Sequence, residues 1–263
     1  MVKPFLKWVG GKTQIIDQVI QEFPDYIENY WEPFLGGGSV LLQALASNKI
    51  KGQVFASDIN KDLIDLYLTI QNNCEQFIKD VHEIEEKYNS SDTKEDYYYS
   101  VRTYFNKQRD SVKFIFLNKT CFRGIYREGP KGFNVPFGHY KHVNIIDDEN
   151  IRSVSKLIKN VQFSHKSFEH ISPSKGDFVY LDPPYAPINV TSFVGYTAKG
   201  FTEHQKLFNF CKSFSCNWLM SNASVPLVRE TFLGHPMKVI SCRRAINSKN
   251  PESRADEVLV KNL

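Results

Sequence analysis

The sequence predicts an α/β fold of the doubly wound kind, split by an inserted, mainly helical subdomain. Three observations carry this. Tyr30-Trp31-Glu32 runs into Pro33-Phe34-Leu35-Gly36-Gly37-Gly38-Ser39, which reads as a strand, a glycine loop and a helix start. Two further apolar runs end in acids: Val54-Phe55-Ala56-Ser57-Asp58, and Phe178-Val179-Tyr180-Leu181 followed by Asp182-Pro183-Pro184-Tyr185. Finally, 144 residues separate Gly38 from Asp182, where an uninterrupted domain needs roughly 60–70.

The remaining elements follow from periodicity and breakers. Thr13 to Phe23 is amphipathic and closed by Pro24. Val40 to Ala46 reads as a short helix behind the glycine loop, and Asp62 to Gln71 as the helix after the Asp58 strand. Glu75 to Lys87, Glu95 to Gln108 and Val112 to Leu117 have helical spacing, and the polar stretch from Asn89 to Glu95 is the best candidate for a flexible link. Val161 to His165 is a strand, Phe201 to Ser213 a helix, Trp218 to Ser221 a strand and Val228 to Leu233 a short helix. Lys238 to Ile246 and Glu257 to Asn262 close the chain as two strands joined by a polar loop. The expected division is a catalytic domain from 1–72 and 155–263, with a target-binding insertion at 73–154.

Bulk properties set the frame. With 263 residues, 41% hydrophobic and 24% charged, the chain can bury a sizeable core. No apolar run approaches a membrane span, no signal-peptide pattern opens the chain, and five scattered cysteines lack zinc spacing, so no membrane and no metal are expected. The expectation is reduced thiols in an intracellular, cytoplasmic protein, a Cys211–Cys216 bridge being the only pairing considered. Charge is more telling by location. Val101 to Val143 holds nine Lys/Arg against two Asp/Glu, a net of +7, which leaves the rest of the +4 chain at −3. Nine aromatics interleave with these cations, a composition suited to gripping phosphates and wedging bases. Tyr104, Phe105, Phe114 and Phe116 read as core; the Gly- and Pro-punctuated stretch from Lys119 to Lys141 reads as the binding loop or hairpin.

The strand end at Asp182 is the chemical centre. Open α/β sheets bind ligands at the carboxyl ends of their strands. Two prolines end the ladder there and free a carbonyl. A carboxylate, a carbonyl and the Tyr185 ring together suit a planar ring bearing an exocyclic amino group. The glycine loop lets backbone approach a ligand, and Asp58, 22 residues after Gly36, is placed to hold ribose hydroxyls. A nucleoside cofactor beside an amino-bearing base is the reading these residues support together. Alone, each has a bland alternative: a proline turn, or a surface glycine turn.

Five segments in order, Phe5-Leu6-Lys7-Trp8-Val9-Gly10-Gly11-Lys12, Glu32 to Ser39, Asp58-Ile59-Asn60, Phe133-Asn134-Val135-Pro136-Phe137-Gly138 and Asp182 to Tyr185, resemble the DNA adenine methyltransferase (Dam) family, the α group of amino-methyltransferases. The resemblance runs from about Lys3 to the C-terminus. It implies a Rossmann-like, seven-stranded, mostly parallel sheet and methyl transfer from S-adenosylmethionine to adenine N6 in double-stranded DNA, with GATC as the target. Asp182 and the Pro183 carbonyl, on the Asp182-Pro183-Pro184-Tyr185 corner, would accept the amino hydrogens, and Tyr185 would stack on a base flipped from the duplex. Trp8, Lys12, Phe34, Gly36, Gly38, Asp58, Ser167, Phe168 and Asp182 match cofactor positions; Phe168 departs from the usual tyrosine and could equally be core. Phe122 would enter the base stack, Ile125 and Arg127 would read bases, and Lys7, Pro136, Tyr140 and Lys141 match DNA-contacting positions. Arg123 departs from a frequent Asn and His139 from a frequent Arg, both within the DNA-binding set. Thr191 to Tyr196 with Phe201-Thr202, and Asn247 to Ser253, resemble loops near the flipped base and the DNA backbone. A monomer in solution is expected, with two copies on a palindromic site; a separately acting restriction nuclease is left open. The rival readings are an RNA guanine-N2 or other amino-methyltransferase, and a catalytically silent DNA-binding relative.

Overall fold

The structure, a computed structural model, describes residues 2–187, 203–243 and 254–262. In chain order the elements are α1 (Ile16–Gln21), β1 (Tyr30–Glu32), α2 (Ser39–Ala46), β2 (Val54–Asp58), α3 (Lys61–Asn72), α4 (Cys74–Ser90), α5 (Lys94–Lys107), α6 (Ser111–Thr120), β3 (Glu128–Gly129), β4 (Gly132–Phe133), α7 (Asp148–Leu157), β5 (Val161–His165), β6 (Phe178–Leu181), α8 (His204–Ser213), β7 (Asn217–Ala223), α9 (Pro226–Thr231), β8 (Met237–Arg243) and β9 (Arg254–Lys261). Seven strands form one sheet in the order β5-β2-β1-β6-β7-β9-β8. The first five run parallel; β9 pairs antiparallel with β7 and with β8, making a reversed edge. The expected α/β class with a mostly parallel seven-stranded sheet is therefore the observed one.

Strand sequence explains strand position. All four residues of β6 are buried, as expected of a central parallel strand covered on both faces. Its alternate residues feed two cores: Phe178 and Tyr180 join Tyr30, Phe23 and Leu41 on one face, while Val179 and Leu181 join Trp218, Met220, Phe208 and Phe232 on the other. Helix starts are set by side-chain caps. Asn60, Asp110 and Asp147 accept the backbone N–H of Leu63 (3.1 Å), Lys113 (2.8 Å) and Asn150 (3.1 Å).

Between β2 and β5 lie α3 to α7 and the β3–β4 hairpin. Their core is continuous with the first face of the sheet, running from Tyr67 through Tyr88, Tyr98 and Phe105 to Phe116. Helix α6 is buried on nearly every side against α3, α4 and α5, which is why its sequence shows no amphipathic stripe. Three expectations need correction. Asn89 to Glu95 is no flexible link: Asn89 and Ser90 are the last turn of α4, the Asn89 amide and the Val143 backbone exchange bonds of 2.9 and 3.1 Å, and only residues 91–93 separate α4 from α5. Tyr104 is 62% exposed, because Tyr98, Val101 and Phe105 take the inward stripe of α5 and Tyr104 lies about 100° round from it. The helix expected from Thr13 begins only at Ile16, after a turn closed by Ile15 N–H on the Lys12 carbonyl (2.9 Å). Helix α7 was not anticipated, and the 154/155 boundary falls inside it; it packs on α2, α3 and α4. Cys211 and Cys216 are free thiols.

Candidate active site

The chain winds outward from β1 to β2 and β5, then returns to the other side of β1 at β6. This reversal puts a crevice between the carboxyl ends of β1 and β6, where such sheets bind ligands. The glycine loop leaves β1, Asp58 ends β2, and Asp182 follows β6, so parallel pairing brings three segments distant in sequence to one edge.

Asp182 is held by a cation. Its Oδ2 lies 2.8 Å from Lys12 Nζ, with Lys12 almost wholly buried at 3% exposure and Asp182 at 20%. The same ammonium donates to the Gly10 carbonyl at 2.6 Å and sits 4.9 Å from the Tyr185 ring centroid. Burial pushes the Asp182 carboxyl up to about 6, Lys12 pulls it down, and Glu257 pushes it up again. Tyr185 is oriented by its hydroxyl, which donates to Glu257 Oε2 at 2.7 Å. Past it, Asn222 Oδ1 accepts the backbone N–H of Ala186 (2.9 Å) and of Ala223 (2.8 Å), fixing the chain as it leaves the proline corner. Behind the site, burial pushes the Glu32 carboxyl up to about 8; the Tyr30 hydroxyl donates to it at 2.6 Å. Burial thus favours the neutral form at Glu32, whereas at Asp182 the Lys12 ammonium favours the ionised form.

The other residues expected to meet a cofactor stand at the same strand ends. Asp58 accepts the backbone N–H of Gly36 on Oδ2 (3.0 Å) and of Asn60 on Oδ1 (2.9 Å); burial raises its pKa against these bonds. Gly36 and Gly38 have φ of +49° and +67°, and a Cβ on them would come within 2.9 Å of Trp8 Nε1 and 2.1 Å of the Tyr67 hydroxyl. The loop is thus glycine by conformation and by space. Phe34 stacks on Phe168 with centroids 5.5 Å apart, and Phe168 also packs edge-on to Phe210 in the second core. Ser167 precedes it as the cap of the 3₁₀ turn Phe168–His170. Lys12, expected with the cofactor residues, has its ammonium on Asp182.

The residues expected to face DNA lie on the chain between β2 and β5, with Lys7 of the N-terminal segment bound to Lys119 and Tyr140 there. Phe122 N–H bonds the Pro136 carbonyl (2.9 Å) and Gly138 N–H the Thr120 carbonyl (2.9 Å), pairing segment 120–123 with 136–138. Phe122 is 45% exposed with the Arg123 guanidinium 5.1 Å from its ring; Arg127, Pro136, His139 and Lys141 are exposed, and Ile125 is half-buried. Arg127 Nε donates to Asn134 Oδ1 at 2.7 Å across the hairpin. Lys7 is a clasp: its ammonium donates to the Lys119 carbonyl (2.9 Å) and the Tyr140 hydroxyl (3.0 Å), and its backbone exchanges bonds with the Asn118 amide. Tyr140 in turn accepts from Tyr88 through its carbonyl. The loops Thr191 to Tyr196 with Phe201-Thr202, and Asn247 to Ser253, lie outside the described residues.

Sequence reasoning did not single out Glu257, Asn222, Tyr126 or Asp62. Only Asn222 and Glu257 had a local signal, being polar residues in apolar strands. Among the described residues no helix is long and apolar enough to cross a membrane, and no three potential metal ligands cluster.

Comparison with known proteins agrees on one family. The family described as D12 class N6 adenine-specific DNA methyltransferase matches residues 8–246. The chain is 38% identical to the type II methyltransferase M.MjaIII of Methanocaldococcus jannaschii, covering 99% of both chains. It is 34% identical to a DNA adenine methylase of Haemophilus influenzae, over 99% of this chain and 92% of that one. It is 35% identical to the type II methyltransferase M.CviBI of Paramecium bursaria Chlorella virus NC1A, over 89% of this chain and 88% of that one.

Proposed function

The chain belongs to the D12 class of N6 adenine-specific DNA methyltransferases, and we propose that it uses S-adenosylmethionine to methylate an adenine flipped out of double-stranded DNA. The observation that carries the reading is Asp182: a carboxylate just past the end of β6, held 2.8 Å from the Lys12 ammonium beside a tyrosine fixed by Glu257.

The residues present fit the cofactor. Side-chain-free glycines at Gly36 and Gly38, the flat Phe34–Phe168 wall and the Asp58 carboxylate form a cradle of nucleoside chemistry. The Asp58 carboxylate, which accepts the Gly36 and Asn60 backbone N–H groups, keeps acceptor capacity for a ribose hydroxyl. Trp8, Lys12 and Ser167 complete the set. When bound, the cofactor supplies an electrophilic methyl group.

The protein's part is acceptance and orientation. Asp182 and the Pro183 carbonyl take the two amino hydrogens, drawing electron density onto a nitrogen whose lone pair is otherwise delocalised into the ring. Lys12 keeps Asp182 ionised. Tyr185, tethered to Glu257, offers its face to the base, and Pro184 fixes the approach of the tyrosine. The insertion, 73–154, holds the duplex: Phe122 fills the stack, Ile125 and Arg127 read base edges, and Lys7, Arg123, Pro136, His139, Tyr140 and Lys141 line the path of the backbone. GATC is the target the family resemblance carries, with Arg123 and His139 the positions where this chain departs from it.

The test is transfer of labelled methyl from S-adenosylmethionine to duplex DNA, to single strands and to RNA, with methylated adenines mapped. Asp182→Ala should abolish transfer and weaken cofactor binding only moderately. Label in RNA or on cytosine, or substantial turnover by the variant, would overturn the assignment.

A further inference from the structure

Tyr126 lies between the two proposed base readers, Ile125 and Arg127, yet its side chain belongs to the cofactor crevice. Its ring stacks on Trp8 with centroids 6.1 Å apart and an interplanar angle of 26°. Trp8 is the residue that the glycine loop presses against, since a Cβ on Gly36 or Gly37 would fall 2.9 Å and 2.8 Å from its side chain. The Tyr126 hydroxyl donates to Asp62 Oδ2 at 3.0 Å. Asp62 opens α3, four residues beyond Asp58 on the same strand–helix junction. Asp62 also takes Arg109 Nη1 at 2.6 Å, and Arg109 Nη2 reaches Glu128 Oε1 at 2.7 Å, tying the first residue of the hairpin to the same group. One side chain therefore touches the junction after β2 directly and, through Trp8 of the N-terminal segment, bears on the loop after β1.

Its surroundings leave the ring little choice. Phe114 and Phe133 pack on it at 5.6 and 5.7 Å. Ile125 is extended, with φ −75° and ψ 138°. Arg127, on the other side of Tyr126, is exposed. A tyrosine has few rotatable bonds, and stack and hydroxyl contact are met together by one rotamer.

We infer that Tyr126 is a positioning residue that seats the base-reading segment on the cofactor loop, so that cofactor and target DNA strengthen each other's binding. The inference rests on the assignment of S-adenosylmethionine to the crevice and of 119–141 to DNA. Ordering of the glycine loop and of the β2–α3 junction by the nucleoside fixes Trp8 and Asp62, and these fix Tyr126. By linkage, DNA that fixes Ile125 and Arg127 must raise cofactor affinity by the same factor.

The test uses the whole chain and S-adenosylhomocysteine, which binds without turnover. Its affinity is measured by calorimetry, free and saturated with a duplex carrying the methylated sequence, at one fixed salt concentration. The wild-type ratio should be about tenfold, within the range usual for coupled sites. Tyr126→Leu, which removes the ring, should bring the ratio to about one while each ligand alone binds with near wild-type affinity. Tyr126→Phe, which keeps the stack and loses the Asp62 bond, should retain about a third of it. A residue that only supports the fold would weaken both ligands and leave the ratio unchanged; that result overturns the inference, as does a wild-type ratio of one. If Tyr126→Leu does not melt cooperatively, Tyr126→Phe decides, and an undiminished ratio in it refutes the coupling. A wild type that binds neither the nucleoside nor DNA would instead bring down the functional reading itself.

Discussion

Replacing Lys12 by Met should move the acid limb of the methylation rate upward by about two pH units. Met keeps the length and apolar stem of the side chain and removes the charge that sits 2.8 Å from Asp182. Asp182 is already pushed up to about 6 by burial, with Lys12 the main force holding it down. Removing one partner of a buried pair costs about 3–5 kcal/mol. Asp182 keeps 20% of its side chain in contact with solvent, so the low end applies. About 3 kcal/mol is roughly two pKa units, which places the variant's Asp182 near 8. The sign follows from the acceptor role: the ionised form is active, so activity is lost as pH falls through the pKa. At pH 7 the ionised fraction drops from about nine-tenths to about one-tenth, a tenfold loss of rate, while at pH 9 the two proteins should differ by about a tenth. Single-turnover methylation of duplex DNA between pH 5 and 9.5, at saturating S-adenosylmethionine, separates chemistry from binding and release. An equal loss at every pH, or an acid limb that stays near 6, would refute the claim that Lys12 sets the charge on Asp182.

Two further outcomes follow from the same geometry. Asp58→Ala should weaken S-adenosylmethionine binding about tenfold or more, by the roughly 1.5–3 kcal/mol of a charge-assisted hydrogen bond, and leave DNA affinity nearly unchanged; calorimetry with each ligand checks both. Arg127→Ala should relax discrimination at one base position by about 1–3 kcal/mol, whereas Lys141→Ala should weaken binding to all duplexes and lower the salt slope by about one; methylation of single-base variants and affinities at several salt concentrations distinguish the two, and a uniform loss for Arg127→Ala would make it a clamp.

The parts of the fold that were legible in the sequence are those set locally. The β2, β5 and β6 strands match the predicted spans because each is a short apolar run bounded by breakers or acids. The helices after the glycine loop and after Asp58 fall within a residue of expectation for the same reason. What escaped depends on tertiary environment. Helix α7, capped by Asp147 and turning only Ile151 and Val154 fully inward, is too short and polar to stand out before its neighbours are known. In the site, the motif residues were legible one by one, but their electrostatic partners were not. Lys12 and Asp182 lie 170 residues apart, and Glu257 reaches Tyr185 only because β9 reverses beside β7. A carboxylate in a motif announces an acceptor; whether it is ionised depends on a cation that only the fold delivers.

The segment proposed to read bases adds a constraint that the family pattern alone does not express. Arg123 and His139, the two departures from that pattern, have φ of +57° and +59°, and with Asn48 they are the non-glycine residues of positive φ among the described residues. Asn tolerates that region because its short side chain bonds locally, and glycine enters it without strain. An arginine there costs roughly 1 kcal/mol by comparison. The backbone at 123 is required by the Phe122 N–H bond to Pro136 on one side and by Gly124, itself at φ +65° against Lys7, on the other. Arg123 therefore gains nothing from its backbone, and any offset must come from what its guanidinium touches. One contact it makes is with the Phe122 ring at 5.1 Å, the residue proposed to enter the base stack. If Phe122 leaves that contact on entering DNA, the guanidinium loses its ring partner beside the duplex at the same moment. Arg123 would then substitute a phosphate or guanine contact for the local role of Asn, and the target site would depart from the family's at the base pair it reaches.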